Sequence, residues 1–185
     1  YIHIINMAIN STISGILRAY PVIMMYSTLL LYVMTSDMDF LYLLIVLFLG
    51  EGINYTLKYK FLKPIFGDHI PFLGMGSRPA GAKDCGLFLS SKKSKKKITS
   101  YGMPSGHSQN SALFAIFLIL KLLGNGINIS TIVKIAIISG LSLSVMVSRW
   151  VFKCHTVGQI AIGAALGTFF GVTAFKFKDY VLQFI

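Results

Sequence analysis

Five stretches of this sequence approach the length of a membrane crossing while carrying almost no formal charge. Residues 19–36 contain no Asp, Glu, Lys or Arg, and residues 40–57 carry a single carboxylate, Glu51. Residues 98–120 are again uncharged, though they hold His107; residues 129–147 carry only Lys134, and residues 154–175 none. A helix needs about 20 mostly apolar residues to cross the hydrocarbon core of a bilayer. A chain of 185 residues has too little material left over to surround five such helices with protein, so lipid must surround them. The expected fold is all-α: one membrane-embedded domain over residues 1–185, with about five transmembrane helices at 19–36, 40–58, 104–123, 129–149 and 155–176. Residues 1–18 read as an interfacial or partial helix.

Charge then becomes informative because it is scarce. Charged residues make up 12% of the chain, against about 25% in soluble domains, yet 17 Lys and Arg face only 6 Asp and Glu. The apolar content excludes a disordered or collagen-like chain and weighs against a nucleic-acid partner. A polar loop of residues 59–103 separates the second and third helices and holds the Lys-Lys-Ser-Lys-Lys-Lys run of residues 92–97. No aromatic side chain interleaves with that run, so it reads as a solvated tip suited to anionic lipid. The two cysteines, Cys85 and Cys154, do not amount to a disulfide framework and leave the redox compartment open.

Helices that alternate across a bilayer sort their ends onto two faces. Lys58, Arg78, Ser105, His107, Arg149 and His155 fall on one, while Asp37, Asp39, Lys121, Lys176, Lys178 and Asp179 fall on the other. Three cations and two histidines gathered at one end of an apolar bundle point to an anion site. The pieces fit that chemistry. In Met103-Pro104-Ser105-Gly106-His107, Pro104 suits a first helical turn, Ser105 can cap, and Gly106 lets an anion approach free N–H groups. Arg149, after Ser148, offers a planar fork for phosphate oxygens, six residues before His155. Gln159 lies one helical turn after His155 and can orient its ring. Glu51, Asn54 and Lys58 share a helix face. Tyr101 and Trp150 read as interface aromatics.

Together these residues resemble the type 2 phosphatidic acid phosphatase superfamily. Arg78-Pro79, Pro104-Ser105-Gly106-His107 and Ser148-Arg149 with His155 are similar to its three-part signature. The likeness is greatest to its dolichyldiphosphatase branch, through Tyr101-Gly102-Met103, His155-Thr156 with Gln159, and Glu51-Gly52-Ile53-Asn54 before Lys58. The resemblance implies a lipid phosphate or pyrophosphate substrate. His155 would be the nucleophile that forms a phosphohistidine, and His107 the acid for the leaving oxygen. Lys58, Arg78, Arg149, Ser105 and Gly106 would hold the phosphoryl oxygens, with Gln159 and Ser148 supporting. It implies no metal or other cofactor, and no metal-ligand spacing is present in the sequence.

Two departures stand out. The superfamily pattern places Lys seven residues before the Arg of Arg-Pro, where this chain has Pro71; Lys58 is the preferred substitute, with Lys60 and Lys63 as alternatives. Gln159 stands where most of the superfamily has Asp, as is usual in the dolichyldiphosphatase branch. A lipid phosphotransferase and a non-catalytic lipid-binding protein are the competing readings. Location in the endoplasmic reticulum or another endomembrane is expected. On orientation, the lysine excess favours a cytoplasmic catalytic face, whereas the resemblance implies a lumenal one.

Overall fold

The computed structural model describes residues 2–67, 76–80, 82, 85–86 and 100–184, with side chains from residue 12 onward. Within them the chain is all-helical: α1 Ile2–Thr35, α2 Met38–Phe66, α3 Gly106–Gly124, α4 Ile129–Val151 and α5 Val157–Leu182. The lysine run of residues 92–97 and Pro71 lie outside the described residues.

The helix ends follow local chemistry. Asp37 caps α2 by accepting from the Asp39 N–H, and Asn128 caps α4 by accepting from Thr131. Thr156 and Gln159 form a reciprocal capping box at the start of α5. The third helix begins later than expected. Ser105 is its cap, accepting from the Ser108 N–H, and Pro104 precedes that cap instead of occupying the first turn. The second helix runs past residue 58 to Phe66, because residues Leu57–Leu62 continue it as a π-helix. The first 18 residues are no separate element: α1 is continuous from Ile2 and carries Pro21 inside it.

Four helices among the described residues are long and apolar enough to span a membrane: Thr12–Thr35, Met38–Phe66, Ile129–Val151 and Val157–Leu182. The expected fifth helix is α3. It is the centre of the bundle, touching α1, α2, α4 and α5, and its Ser108, Gln109, Asn110 and Ser111 are all buried. Lipid tails give no hydrophobic reason for helices to associate, so small residues and interhelical hydrogen bonds must do it. Both are present. A Cβ on Gly167 would lie 2.0 Å from the Gln109 carbonyl oxygen, and one on Gly163 would lie 2.5 Å from that of Ser105. Asn54 donates to Gln109 at 2.9 Å, Gln109 to the Gly50 carbonyl at 2.8 Å, and Asn110 to Glu51 at 2.7 Å. The outward faces keep apolar side chains such as Ile132, Ile137 and Leu141 exposed, as lipid contact requires. Below the buried polar layer, Leu43, Leu47, Leu113 and Phe117 fill the core between α2 and α3.

Candidate active site

The close seating of α5 on α3 brings the two helix starts together, and the Ser105 N–H donates to the Gln159 carbonyl at 3.2 Å. His107, in the first turn of α3, and His155, just before α5, therefore face one cavity of about 380 Å³. Lys58, Arg78 and Gly106 line it with them, and Glu51 is its one acidic wall residue among the described residues. Pro21, Val22 and Met25 of α1 close the apolar side.

Lys58 reaches this cavity from inside the π-helical segment, whereas Lys60 and Lys63 are exposed on the outer surface of the same stretch. A π-helix shifts the angular position of every residue after it, and such segments recur at functional sites.

His155 is held at both ring nitrogens. Gln159 Nε2 donates to the carbonyls of Ser77 at 2.7 Å and Gly76 at 3.2 Å, which leaves its Oε1 to accept from His155 Nδ1 at 3.2 Å. His155 therefore carries its proton on Nδ1. Arg78 Nη1, which can only donate, lies 3.1 Å from Nε2, so that nitrogen presents a lone pair. Burial above all, then the positive field of Arg78, Lys58 and Arg149, pushes the His155 pKa well below its ordinary value of 6.5. The ring is a neutral base at physiological pH.

Arg78 is braced as firmly. Its Nε donates to the Ser100 carbonyl at 3.1 Å and hydroxyl at 3.0 Å, and its Nη1 donates to the Cys154 carbonyl at 2.8 Å. Burial lowers its pKa to about 10, which still leaves it charged near neutral pH. Arg149 is fully buried; its Nη2 donates to the Cys85 carbonyl at 3.0 Å. Its Nε and Nη1 are buried without a hydrogen-bond partner among the described residues. Donors of a buried cation left so are costly unless something else meets them. Ser105 is used as the helix cap, and the Ser148 hydroxyl is turned back to the Val145 carbonyl at 2.6 Å.

Several participants escaped the sequence reading. Cys85 and Cys154 are joined in a disulfide, 69 residues apart in sequence, which ties the loop to the turn bearing His155. Two lone cysteines gave no pairing signal. Tyr101 is buried rather than interfacial, its hydroxyl donating to the Leu62 carbonyl at 3.3 Å and its N–H to the Tyr59 hydroxyl at 3.3 Å. Trp150 is exposed, as expected of an interface aromatic. The four-residue spacing of Gly163, Gly167 and Gly171 was legible as a helix-packing stripe and went unread. His107 Nε2 lies 2.9 Å from the carbonyl of Arg18 on α1, a main-chain contact that no side-chain pattern announces.

Comparison with known proteins gives this geometry a family. The "Dolichyldiphosphatase 1" of Dictyostelium discoideum is 32% identical over 95 residues, 46% of this chain and 42% of that protein. The match thus spans less than half the length of this curated relative. No solved structure matches the chain. Residues 39–182 match the PAP2 superfamily, a segment that contains His107 and His155, the cavity cations Lys58 and Arg78 with the buried Arg149, and the four helices α2 to α5, and the chain accordingly belongs to the PAP2 superfamily.

Proposed function

We propose that this protein is an integral-membrane phosphatase that hydrolyses a lipid phosphate or diphosphate, a polyprenyl diphosphate being favoured, through a phosphohistidine on His155. The observation that carries the reading is the His155 ring itself: Nδ1–H given to Gln159, Nε2 lone pair turned to Arg78 beside the cations of the cavity. An arriving phosphoryl oxygen takes over the Arg78 donor and frees Nε2. That nitrogen attacks phosphorus as the bond to the leaving oxygen breaks, and His107 gives the leaving oxygen a proton. Lys58, Arg78 and Arg149 offset the charge that builds on the phosphoryl oxygens, with the Gly106 N–H at the start of α3. Water then attacks phosphorus, the P–N bond breaks, its proton returns to His107, and phosphate departs.

The dolichyldiphosphatase relative supports a polyprenyl diphosphate over a glycerolipid phosphate. The Cys85–Cys154 disulfide, on the catalytic face, supports placing that face in an oxidising compartment, on the lumenal side of an endomembrane. The deciding experiment is phosphate release from a panel of polyprenyl diphosphates, polyprenyl phosphates and phosphatidate, with trapping of an acid-labile phosphoenzyme. Release that is vanadate-sensitive and absent in His155→Ala is expected; retained turnover in that variant would sink the nucleophile assignment.

A further inference from the structure

The family match begins at residue 39, so α1 lies outside it. Yet α1 walls one side of the cavity with Pro21, Val22 and Met25 and makes a polar contact with a catalytic candidate. A carbonyl oxygen can only accept, so the 2.9 Å contact between His107 Nε2 and the Arg18 carbonyl means that Nε2 carries a hydrogen. The local chain explains why an acceptor is exposed there. Pro21 has no N–H to give to the Leu17 carbonyl, and its ring crowds that carbonyl, which disturbs the ladder beside Arg18, whose own carbonyl has a second lone pair to offer His107. The Arg18 side chain is fixed as well: it is buried, with its guanidinium carbon 4.5 Å from the centre of the Phe152 ring, three residues before His155. One residue of α1 thus holds the ring of His107 by its main chain and packs on the turn of His155 by its side chain.

We propose that α1 is a positioning element for proton transfer: the turn disturbed by Pro21 offers the Arg18 carbonyl to His107 Nε2–H, so that Nδ1 is the nitrogen that exchanges protons with the substrate. This rests on the phosphatase reading above. Once the anionic phosphate is bound beside it, the neutral Nε2–H ring of His107 takes a proton from solvent on Nδ1; that Nδ1–H is transferred to the leaving oxygen as the P–O bond breaks, and the same Nδ1 takes the proton of the attacking water as the P–N bond breaks. Nε2 keeps its hydrogen throughout, because the carbonyl fixes the tautomer.

The direct test needs no variant. The chain has four histidines, few enough to resolve by ¹⁵N NMR of the labelled protein in nanodiscs. His107 in the Nε2–H form and His155 in the Nδ1–H form are expected; an Nδ1–H tautomer at neutral His107 overturns the proposal. A functional test compares Pro21→Ala with His107→Ala on two monophosphates of matched chain, one with an alkyl and one with an acidic aryl leaving group. A general acid matters only for the poor leaving group. Pro21→Ala should therefore cost about tenfold or more in kcat on the alkyl substrate and less than about twofold on the aryl one, in the same sense as His107→Ala. Equal losses on both substrates, or none, refute positioning. Arg18→Ala keeps the carbonyl and should leave the alkyl-to-aryl ratio unchanged; a shifted ratio would assign the effect to the guanidinium and overturn the main-chain assignment. Failure of the phosphatase reading is separately visible, as no turnover of either substrate by the unaltered protein, and failure of the nucleophile assignment as turnover by His155→Ala.

Discussion

The two ends of the bundle use the same residue types to opposite effect. At the end away from the cavity, Lys121 meets Asp37 at 2.8 Å and also Asp39, while Lys178 bridges Asp39 at 3.1 Å and Asp179 at 3.0 Å. Every cation of that cluster has a carboxylate. Although burial alone would raise it, the Asp37 carboxyl is held below its ordinary value by Lys121. At the cavity end, none of Lys58, Arg78 and Arg149 has a carboxylate within ion-pair distance among the described residues, and Glu51 is occupied by Asn110. Burying cations without countercharge is expensive, and the chain meets only part of that cost with carbonyls. A neutralised cluster is a fastener; a cluster left positive is prepared for an anion that arrives from outside.

Five substitutions and a pH profile test that contrast. The largest effect is expected from His155→Ala, which should lower kcat by at least about 10³-fold, while Lys121→Met at the other end leaves kcat within about twofold. Comparable losses from both would erase the distinction. Arg149→Lys retains charge but loses the fork, and a fall in kcat of about 10²-fold with an unchanged melting temperature is expected. Gly167→Ala strikes the seam that joins the two ends, since its Cβ would meet backbone at 2.0 Å. A loss of about 1–3 kcal/mol in detergent unfolding, with activity falling in parallel, is the expected outcome. Asp39→Asn leaves Lys178 with the exposed Asp179 and Lys121 with Asp37, half-screened pairs, and should cost about 1 kcal/mol with no change in kcat.

The smallest effect is in pH. Because the folded His155 pKa is depressed well below 6.5, the imidazole stays neutral as pH falls through the ordinary histidine range. The acid limb of kcat/KM, which reports the free protein, should therefore show no inflection from His155 near 6.5, only at a clearly lower pH. In an Arg78→Met variant, one source of the depressing field is gone and the limb should move toward neutral pH. A wild-type inflection at 6.5 would contradict the buried, cation-flanked setting.

Much of this molecule was legible from local pattern. The charge-free stretches gave the spans, Ser105 the cap of α3, and the sorting of polar residues by face gave the two ends. What was misread concerns neighbours. Hydropathy gave α3 as a helix but not its place in the bundle; its Ser108, Gln109, Asn110 and Ser111 show what it faces only once α2 and α5 surround it. Pro104 looked like a first-turn proline, a place that the Ser105 cap excludes, since the residue before a cap lies outside the helix.

Helices, caps and lipid exposure depend on groups within about four residues of one another and on the solvent around them. The sequence by itself therefore determined an all-helical membrane protein with its cations and histidines at one end. Lys58 over Lys60 and Lys63, the Nε2 lone pair of His155, the disulfide and the grip of α1 on His107 were decided only by the tertiary structure. These are contacts between groups 69, 77 and 89 positions apart in the chain, or, for Lys58, a π-helical turn that matters only because a cavity lies beside it. Hydrogen bonds and ion pairs act over a few ångströms in space, and only the packing of α5 on α3, with α1 and α2 closed around them, brings those groups within that range.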